Sequence, residues 1–494
     1  VKFLESLQKR TGNIFSENIS GFELFYQLTY MAATSAAGIS RSRIFQLARE
    51  LPIAPAKYFQ EIHNLADSLR YNYPDACRAV GGRTRSEATM SFLLRLSDTL
   101  SSGEPLAPFL RREAQVLGNN YENEYERQIE SLKKWNDGYI AITVSIALIV
   151  VINMVSTIIY PIGPVMMLGM VFMAAVVGFI VAFVLSRAAP RETFHIPFAG
   201  GSERQRFSLK ALKITIPVVV VATLALILLG VARGWIMIAA AVLALPLGLI
   251  SRKIETETTK KDSEVSAFLR SIGGTATSRG TTLKDALNRM ELESFPSLEP
   301  DVKRLNLRLR ALVKPVACWK RFGMETGSKL IKQATDIFYE ATNLGGDPGI
   351  TGVLCSEFSI KTSMLRAKRR GIAATFAWLT IAMHTVLSTL IVFLLEIINQ
   401  FVVLLEEAMT SAQVAEEEIQ QLSARMMTFS VPETGILDQI ALGMIIVLVL
   451  INAFAIVATE GSHFLKITFY LSILLFLSGV STFIGPPLVQ SIMR

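Results

Sequence analysis

Hydrophobic and polar positions are segregated along this chain on two scales. On the coarse scale, long charge-free apolar runs are separated by charged stretches. A helix needs about 20 apolar residues to cross the hydrocarbon core of a bilayer. Runs of that kind predict seven spans, at 138–160, 164–185, 214–231, 235–250, 371–395, 440–458 and 467–484. The fourth is short, and the fifth extends past Glu396 to Leu405 as a helix protruding from the bilayer. Spans one and two are expected to form a hairpin, because Tyr160, Pro161, Ile162, Gly163 and Pro164 make a compact, uncharged turn.

On the fine scale, the charged stretches follow a helical period and not a strand alternation. Leu24, Leu28 and Met31 recur at i, i+4 and i+7, and Gly38 stands where a C-cap glycine would. Leu93, Leu96 and Leu100 share one face of a second helix that stops at Ser101, Ser102, Gly103, Glu104 and Pro105; the next carries Leu106, Phe109 and Leu110. The predicted fold is therefore all-α. Residues 1–137 form a first cytoplasmic helical domain, and 138–250 form a block of four spans with a basic loop at 186–213. Residues 251–370 form a second cytoplasmic domain, and 371–494 form a block of three spans with an acidic external loop at 406–438.

The second charged stretch repeats the plan of the first. Ala276, Thr277, Ser278, Arg279, Gly280 and Thr281 mirror the segment from Thr34 to Ile39, and Leu344, Gly345, Gly346, Asp347 and Pro348 mirror the segment from Ser101 to Pro105. The intervals are 242 (280 minus 38) and 243 (346 minus 103), so Gly38, Gly103, Gly280 and Gly346 read as the structural turns of a duplicated module.

Charge sets the orientation, since basic loops stay cytoplasmic. Arg187, Arg191, Arg204, Arg206, Lys210 and Lys213 between spans two and three, and Arg366, Lys368, Arg369 and Arg370 before span five, mark inner edges. The connector after span five carries Glu406, Glu407, Glu416, Glu417, Glu418, Glu433 and Asp438 against Arg425 alone, which places it outside. These assignments agree with seven spans, the N-terminus inside and the C-terminus outside the cell membrane. The chain opens at Val1 on a charged stretch, so N-terminal sequence is expected to precede it and no secretory signal is read.

Composition sharpens this picture. With 51% hydrophobic residues and a mean hydropathy of +0.42, the 494-residue chain is too apolar for a soluble protein of its size. Cys77, Cys318 and Cys355 lie far apart without CxxC spacing, which argues against a disulfide framework or zinc site. The nearest approach to a phosphate-binding loop is Gly323, Met324, Glu325, Thr326, Gly327, Ser328 and Lys329. It has three residues between its glycines where the P-loop needs four, and Ser328 precedes the lysine. No protease, hydrolase or metal motif is read, so neither an enzyme nor a cofactor is expected. Asn153, His384 and Asn452 stand singly in three spans, where polar side chains bridge neighbouring helices more often than they line a transport path.

The formal charge excess lies in the second domain. Residues 252–370 hold 22 Lys and Arg against 14 Asp and Glu, whereas residues 1–137 hold 17 against 16. Lys303, Arg304, Arg308 and Arg310 concentrate it on one helical stretch and suit an acidic protein partner. Arg366, Lys368, Arg369 and Arg370 suit anionic lipid at the membrane edge. No stacking aromatics accompany the charges, so nucleic acid is not expected.

An amphipathic helix, a small-residue stretch ending in glycine, a second helix, a Gly-acid-Pro turn and a span together resemble the type II secretion system F domain. Two such modules around a central membrane block are similar to the archaeal platform proteins of archaella and type IV pili. The larger number of spans and the long acidic outer connector depart from the three-span secretion type. The resemblance implies a non-catalytic membrane platform that docks a hexameric secretion ATPase at its cytoplasmic domains and couples its motion to insertion of pilin or archaellin subunits at its spans, with homodimerisation. The competing expectation is a transporter or channel with duplicated cytoplasmic domains.

Overall fold

The computed structural model describes residues 20–159, 164–190, 192–412 and 434–493. Arg191, most of the expected turn from Tyr160 and most of the acidic connector 406–438 lie outside the described residues. The helices are α1 (Gly21–Ser35), α2 (Arg41–Arg49), α3 (Ala56–Ser68), α4 (Tyr73–Gly81), α5 (Glu87–Ser102), α6 (Leu106–Ile159), α7 (Pro164–Ala188) and α8 (Glu203–Leu228). They continue with α9 (Arg233–Arg279), α10 (Leu283–Asn288), α11 (Glu299–Arg310), α12 (Pro315–Glu325), α13 (Lys329–Asn343), α14 (Pro348–Ala412), α15 (Thr434–Glu460) and α16 (Ile467–Met493). Seven of the described helices are long and apolar enough to cross a membrane. Three of them, α6, α9 and α14, carry a span and a polar segment in one continuous helix.

Local caps explain where the shorter helices begin. The side chains of Ser40, Asn72, Ser86, Thr282 and Ser328 each accept a hydrogen bond from the backbone N–H three residues on, which satisfies one of the orphan donors of the first turn. Between Gly38 and α5, where periodicity pointed to no separate elements, the structure holds α2, α3 and α4. Each is too short for its apolar period to stand out, and its buried face is completed only by packing.

The same helix plan is written twice, and in closer register than the sequence intervals indicated. Helices α2, α4, α5 and α6 start at Arg41, Tyr73, Glu87 and Leu106, while α10, α12, α13 and α14 start at Leu283, Pro315, Lys329 and Pro348, each 242 positions later. Left-handed residues recur at the same interval, as Gly38 and Gly280, Arg70 and Leu312, and Gly103 and Gly345. The turn glycine equivalent to Gly103 is thus Gly345 (φ 94°), where sequence matching chose Gly346. Gly345 N–H donates to Thr342 O (3.1 Å) and Gly346 N–H to Ala341 O (2.9 Å), the paired bonds that close a helix C-terminus around a left-handed residue.

Packing repeats as well. A Cβ on Gly81 would lie 3.3 Å from Cβ of Leu93, and one on the equivalent Gly323 would lie 3.1 Å from Oγ1 of Thr335, the counterpart of Leu93. In both modules a glycine lets the fourth helix approach the fifth.

The described chain divides into two compact units. The first takes the described part of Val1–Arg127 with Phe194–Gln205 and Thr256–Ala367, so both modules lie within it. Leu28, Met31, Phe45, Phe59, Phe92 and Leu96 lie in the core of the first module. The modules join where Phe358 of α14 packs against Phe25, Phe22 and Tyr26 of α1, with ring centroids 5.1 to 5.9 Å apart. The second unit, Gln128–Thr193, Arg206–Glu255 and Lys368–Arg494, holds the apolar cores of the membrane-length helices.

Within the first unit α9 and α14 cross with their backbones in contact. A Cβ on Gly273 would lie 2.2 Å from the carbonyl oxygen of Pro348, whereas one on the adjacent Gly274 meets nothing within 4 Å. Gly273→Ala is therefore expected to lower stability by about 1–3 kcal/mol through overpacking. Gly274→Ala should raise it by about 0.5–1 kcal/mol through helix propensity. Thermal unfolding of the two variants in detergent checks the opposite signs.

Candidate functional site

The basic stretch expected at Lys303, Arg304, Arg308 and Arg310 lies on α11, which turns into α12 to form a helical hairpin. Its cations are largely met by carboxylates of the hairpin itself. Lys303 Nζ lies 2.6 Å from Glu299, and Arg304 pairs with Asp301 and, at 3.4 Å, with Glu325. Arg308 donates to both oxygens of Glu325 at 2.7 and 2.8 Å, and Arg321 Nε donates to it at 2.9 Å. Arg310 Nε donates to Asn288 Oδ1 at 2.8 Å. Burial alone would raise the Glu325 carboxyl, but the guanidiniums of Arg308 and Arg321 hold it below the usual carboxylate range. Sequence spacing could not reveal Glu325 as the hub, because the turn between α11 and α12 is what brings it back alongside Arg308.

The segment that resembled a phosphate loop has a structural task. Ser328 caps α13, and its hydroxyl donates to Asp262, which in turn pairs with Arg366 at 3.0 Å. The Arg366 guanidinium lies 4.8 Å from the Phe194 ring centroid. Ile196 N–H donates to Gly327 O (3.2 Å) and Lys329 N–H to Phe194 O (3.1 Å), so the connector after α7 is held against the start of α13.

Where α1 meets α13, two carboxyls sit in partly buried surroundings. Burial pushes Asp336 up against the opposing pull of Lys332, and burial together with Asp336 pushes Glu340 up.

Of the basic residues expected at the membrane edge, Lys368 is exposed and Arg370 half-buried, whereas Arg366 and Arg369 are buried. Arg369 donates to the carbonyls of Pro190 (2.9 Å), Thr459 (2.9 Å) and Ala458 (3.1 Å), groups at the C-terminal ends of α7 and α15. A buried cation there satisfies carbonyls that have no partner within their own helices and meets the negative end of each helix dipole.

The intramembrane polar residues are not all isolated. Tyr139 OH donates to Asn452 Oδ1 (2.6 Å), Asn452 Nδ2 lies 3.2 Å from His384 Nδ1, and His384 Nε2 lies 2.9 Å from Ser478 Oγ. An amide donor at Nδ1 leaves the proton on Nε2, so the imidazole serves as a neutral bridge. Four helices, α6, α14, α15 and α16, are joined by this chain. Asn153 instead bonds the carbonyl of Ile149 in its own helix, and Glu396 accepts from Gln400.

Both helical modules lead directly into membrane-length helices. The family model described as type II secretion system, protein F, matches residues 28–154, which run from α1 through α6 into the first span. Residues 28–154 thus carry a type II secretion system F domain, in a chain with seven described helices long and apolar enough to cross a membrane. It is 25% identical over 435 residues to "Flagella accessory protein J" of Methanocaldococcus jannaschii, a match covering 85% of this chain and 75% of that one. Over 322 residues it is 23% identical to the protein of the same name from Methanococcus voltae, covering 63% and 56%. No solved structure matches it significantly.

Two outcomes follow from the charges. Arg369→Leu removes the donor shared by the carbonyls of Pro190, Ala458 and Thr459 and should lower the stability of the detergent-solubilised protein by about 3 kcal/mol in thermal unfolding. Because the Glu325 pKa is depressed, its contribution to stability is complete above the usual carboxylate range and is lost as pH falls through its lowered value. An acid titration followed by circular dichroism should therefore show a shallower loss of stability in Glu325→Gln than in the wild type.

Proposed function

We propose that this chain is the non-catalytic membrane platform of a type IV pilus-like filament machine, docking a hexameric secretion ATPase and coupling its motion to insertion of pilin-like subunits. An archaellum is the favoured system, because both named relatives are flagella accessory proteins. The observation that carries the reading is the module that matches the secretion F family, repeated at a constant interval and continued each time into a membrane-length helix. A part that transmits motion needs such continuity: α6 and α14 each carry one helix from polar module to span.

In this reading residues 1–137 and 251–370 are cytoplasmic, the N-terminus is inside and the C-terminus outside. Contacts within the membrane unit support the alternation, since Asn136, Pro190, Glu255, Arg369 and the segment from Ala458 to Lys466, all predicted on the inner side, bond to one another. ATPase binds the cytoplasmic modules, pilin or archaellin transmembrane helices contact the spans, and two copies of the chain associate. The polar chain through His384 is satisfied at each step from Tyr139 to Ser478, which favours a structural bridge over a transport path.

The test is deletion and reconstitution. Loss of the chain should abolish surface filaments, and purified protein in nanodiscs should bind the filament ATPase of its own organism. Solute flux through proteoliposomes together with normal filaments in the deletion strain would instead favour a transporter.

A further inference from the structure

The hairpin turn between α11 and α12 carries a feature that the paired arginines do not explain. Leu307 is 64% exposed, Leu312 84%, Val313 44% and Val316 56%, so four aliphatic side chains face outward within ten residues of chain. Leu312 also has φ 61°, in the left-handed region. Val313 N–H donates to Arg308 O (3.2 Å) and Leu312 N–H to Leu309 O (3.3 Å), the same closing bonds that surround Gly280 and Gly345. At this position glycine is the residue without steric penalty, and a left-handed residue with a Cβ is strained. An exposed leucine here gains nothing from burial in return. Backbone strain and exposed apolar surface at one turn are the pattern of a contact site.

Charge identifies the occupant. Residues 299–325 contain seven Lys and Arg against three Asp and Glu, whereas the equivalent residues 57–83 contain four against three. The first module has the same turn, with Arg70 left-handed and Leu69 and Tyr71 exposed, but not the basic rim. Lys314, within the turn, makes no ion pair among the described residues. The exposed positions at the tip are aliphatic, without the tryptophan or tyrosine that anchors a surface at lipid headgroups.

We infer that the tip formed by Leu307, Leu312, Val313 and Val316 docks into an apolar depression rimmed by Asp and Glu on a cytoplasmic protein partner. The inference rests on the platform reading, under which that partner is the secretion ATPase. The aliphatic side chains form the dry centre, while Arg310 and Lys314 steer approach. Lys303, Arg304 and Arg308, already bonded to Glu299, Asp301 and Glu325, chiefly shape the hairpin.

The experiment measures binding of the organism's own filament ATPase to the full chain in nanodiscs, for wild type and for Leu312→Gly, Val316→Asp and Leu69→Asp. Leu312→Gly relieves the left-handed strain, so it should raise the melting temperature while weakening binding by about tenfold, a combination that misfolding cannot produce. Val316→Asp should weaken binding to a similar degree, and Leu69→Asp should leave it unchanged. Wild-type affinity in both Leu312→Gly and Val316→Asp would overturn the docking tip and leave the platform reading standing. Equal loss in Leu69→Asp would overturn the assignment to the basic module. Failure of the wild-type chain to bind the ATPase would remove the platform reading itself. Binding to phosphatidylglycerol vesicles that Leu312→Gly weakens, with ATPase binding intact, would overturn the inference in favour of a membrane contact.

Discussion

A helix that ends inside a protein leaves its last carbonyls without partners, and a bundle of membrane helices has to settle this wherever water is excluded. Here one side chain settles it for two helices. The buried guanidinium of Arg369, rising from α14, bonds carbonyls at the ends of α7 and α15. Three helices are thereby tied at one level, and the order of the membrane unit depends on it. The neighbouring cluster of Glu255, Glu460, Ser462 and Lys466 extends the same solution to α9 and to the turn before α16, with Lys466 Nζ 3.2 and 2.7 Å from the two carboxylates. Arginine suits the first task, because its planar fork reaches several acceptors at once, whereas lysine serves as a point charge between two carboxylates.

The polar unit uses a different economy. Its two modules share helix starts, left-handed turns and two capping hydroxyls, Ser40 with Thr282 and Ser86 with Ser328, yet their surfaces and contacts differ. The first module packs Leu93 over Gly81 and is near neutral; the second places Thr335 over Gly323 and holds most of the charge excess. What the two modules hold in common is what the backbone requires, namely turn conformations, two capping hydroxyls and the glycine at a close helix approach. The exposed positions are left free to take up separate tasks. Local salt bridges then alter the meaning of a basic stretch: a cation bonded to a carboxylate in its own hairpin is a weak candidate for a partner's carboxylate.

Charge-free runs of sufficient length mark the seven membrane-length helices found among the described residues, and the positions Leu24, Leu28 and Met31 mark the buried face of α1. Helices α2 to α4 escaped periodicity because each spans only a few turns. The left-handed residues Arg70 and Leu312 carried no composition signal, since neither is glycine, and only the equal interval between them would have drawn attention. The 242-residue register is set by the left-handed turns at Gly103 and Gly345, which adjacent glycines in the sequence do not distinguish.

For the candidate site the division is clearer still. Segregation of charge and apolar residues follows directly from composition, because a bilayer excludes charges and a polar module requires them, so the membrane class, the helical class and the concentration of basic residues in the second module were determined by the sequence alone. What those basic residues do was decided by tertiary structure. Folding brought Glu325 to Arg308, Asp262 to Arg366 and three helix-end carbonyls to Arg369, pairings between residues distant in the chain. Hydropathy and spacing are properties of neighbours along the chain, whereas burial of a charge is permitted only by partners that arrive through packing, and those can be identified only once the helices are in place.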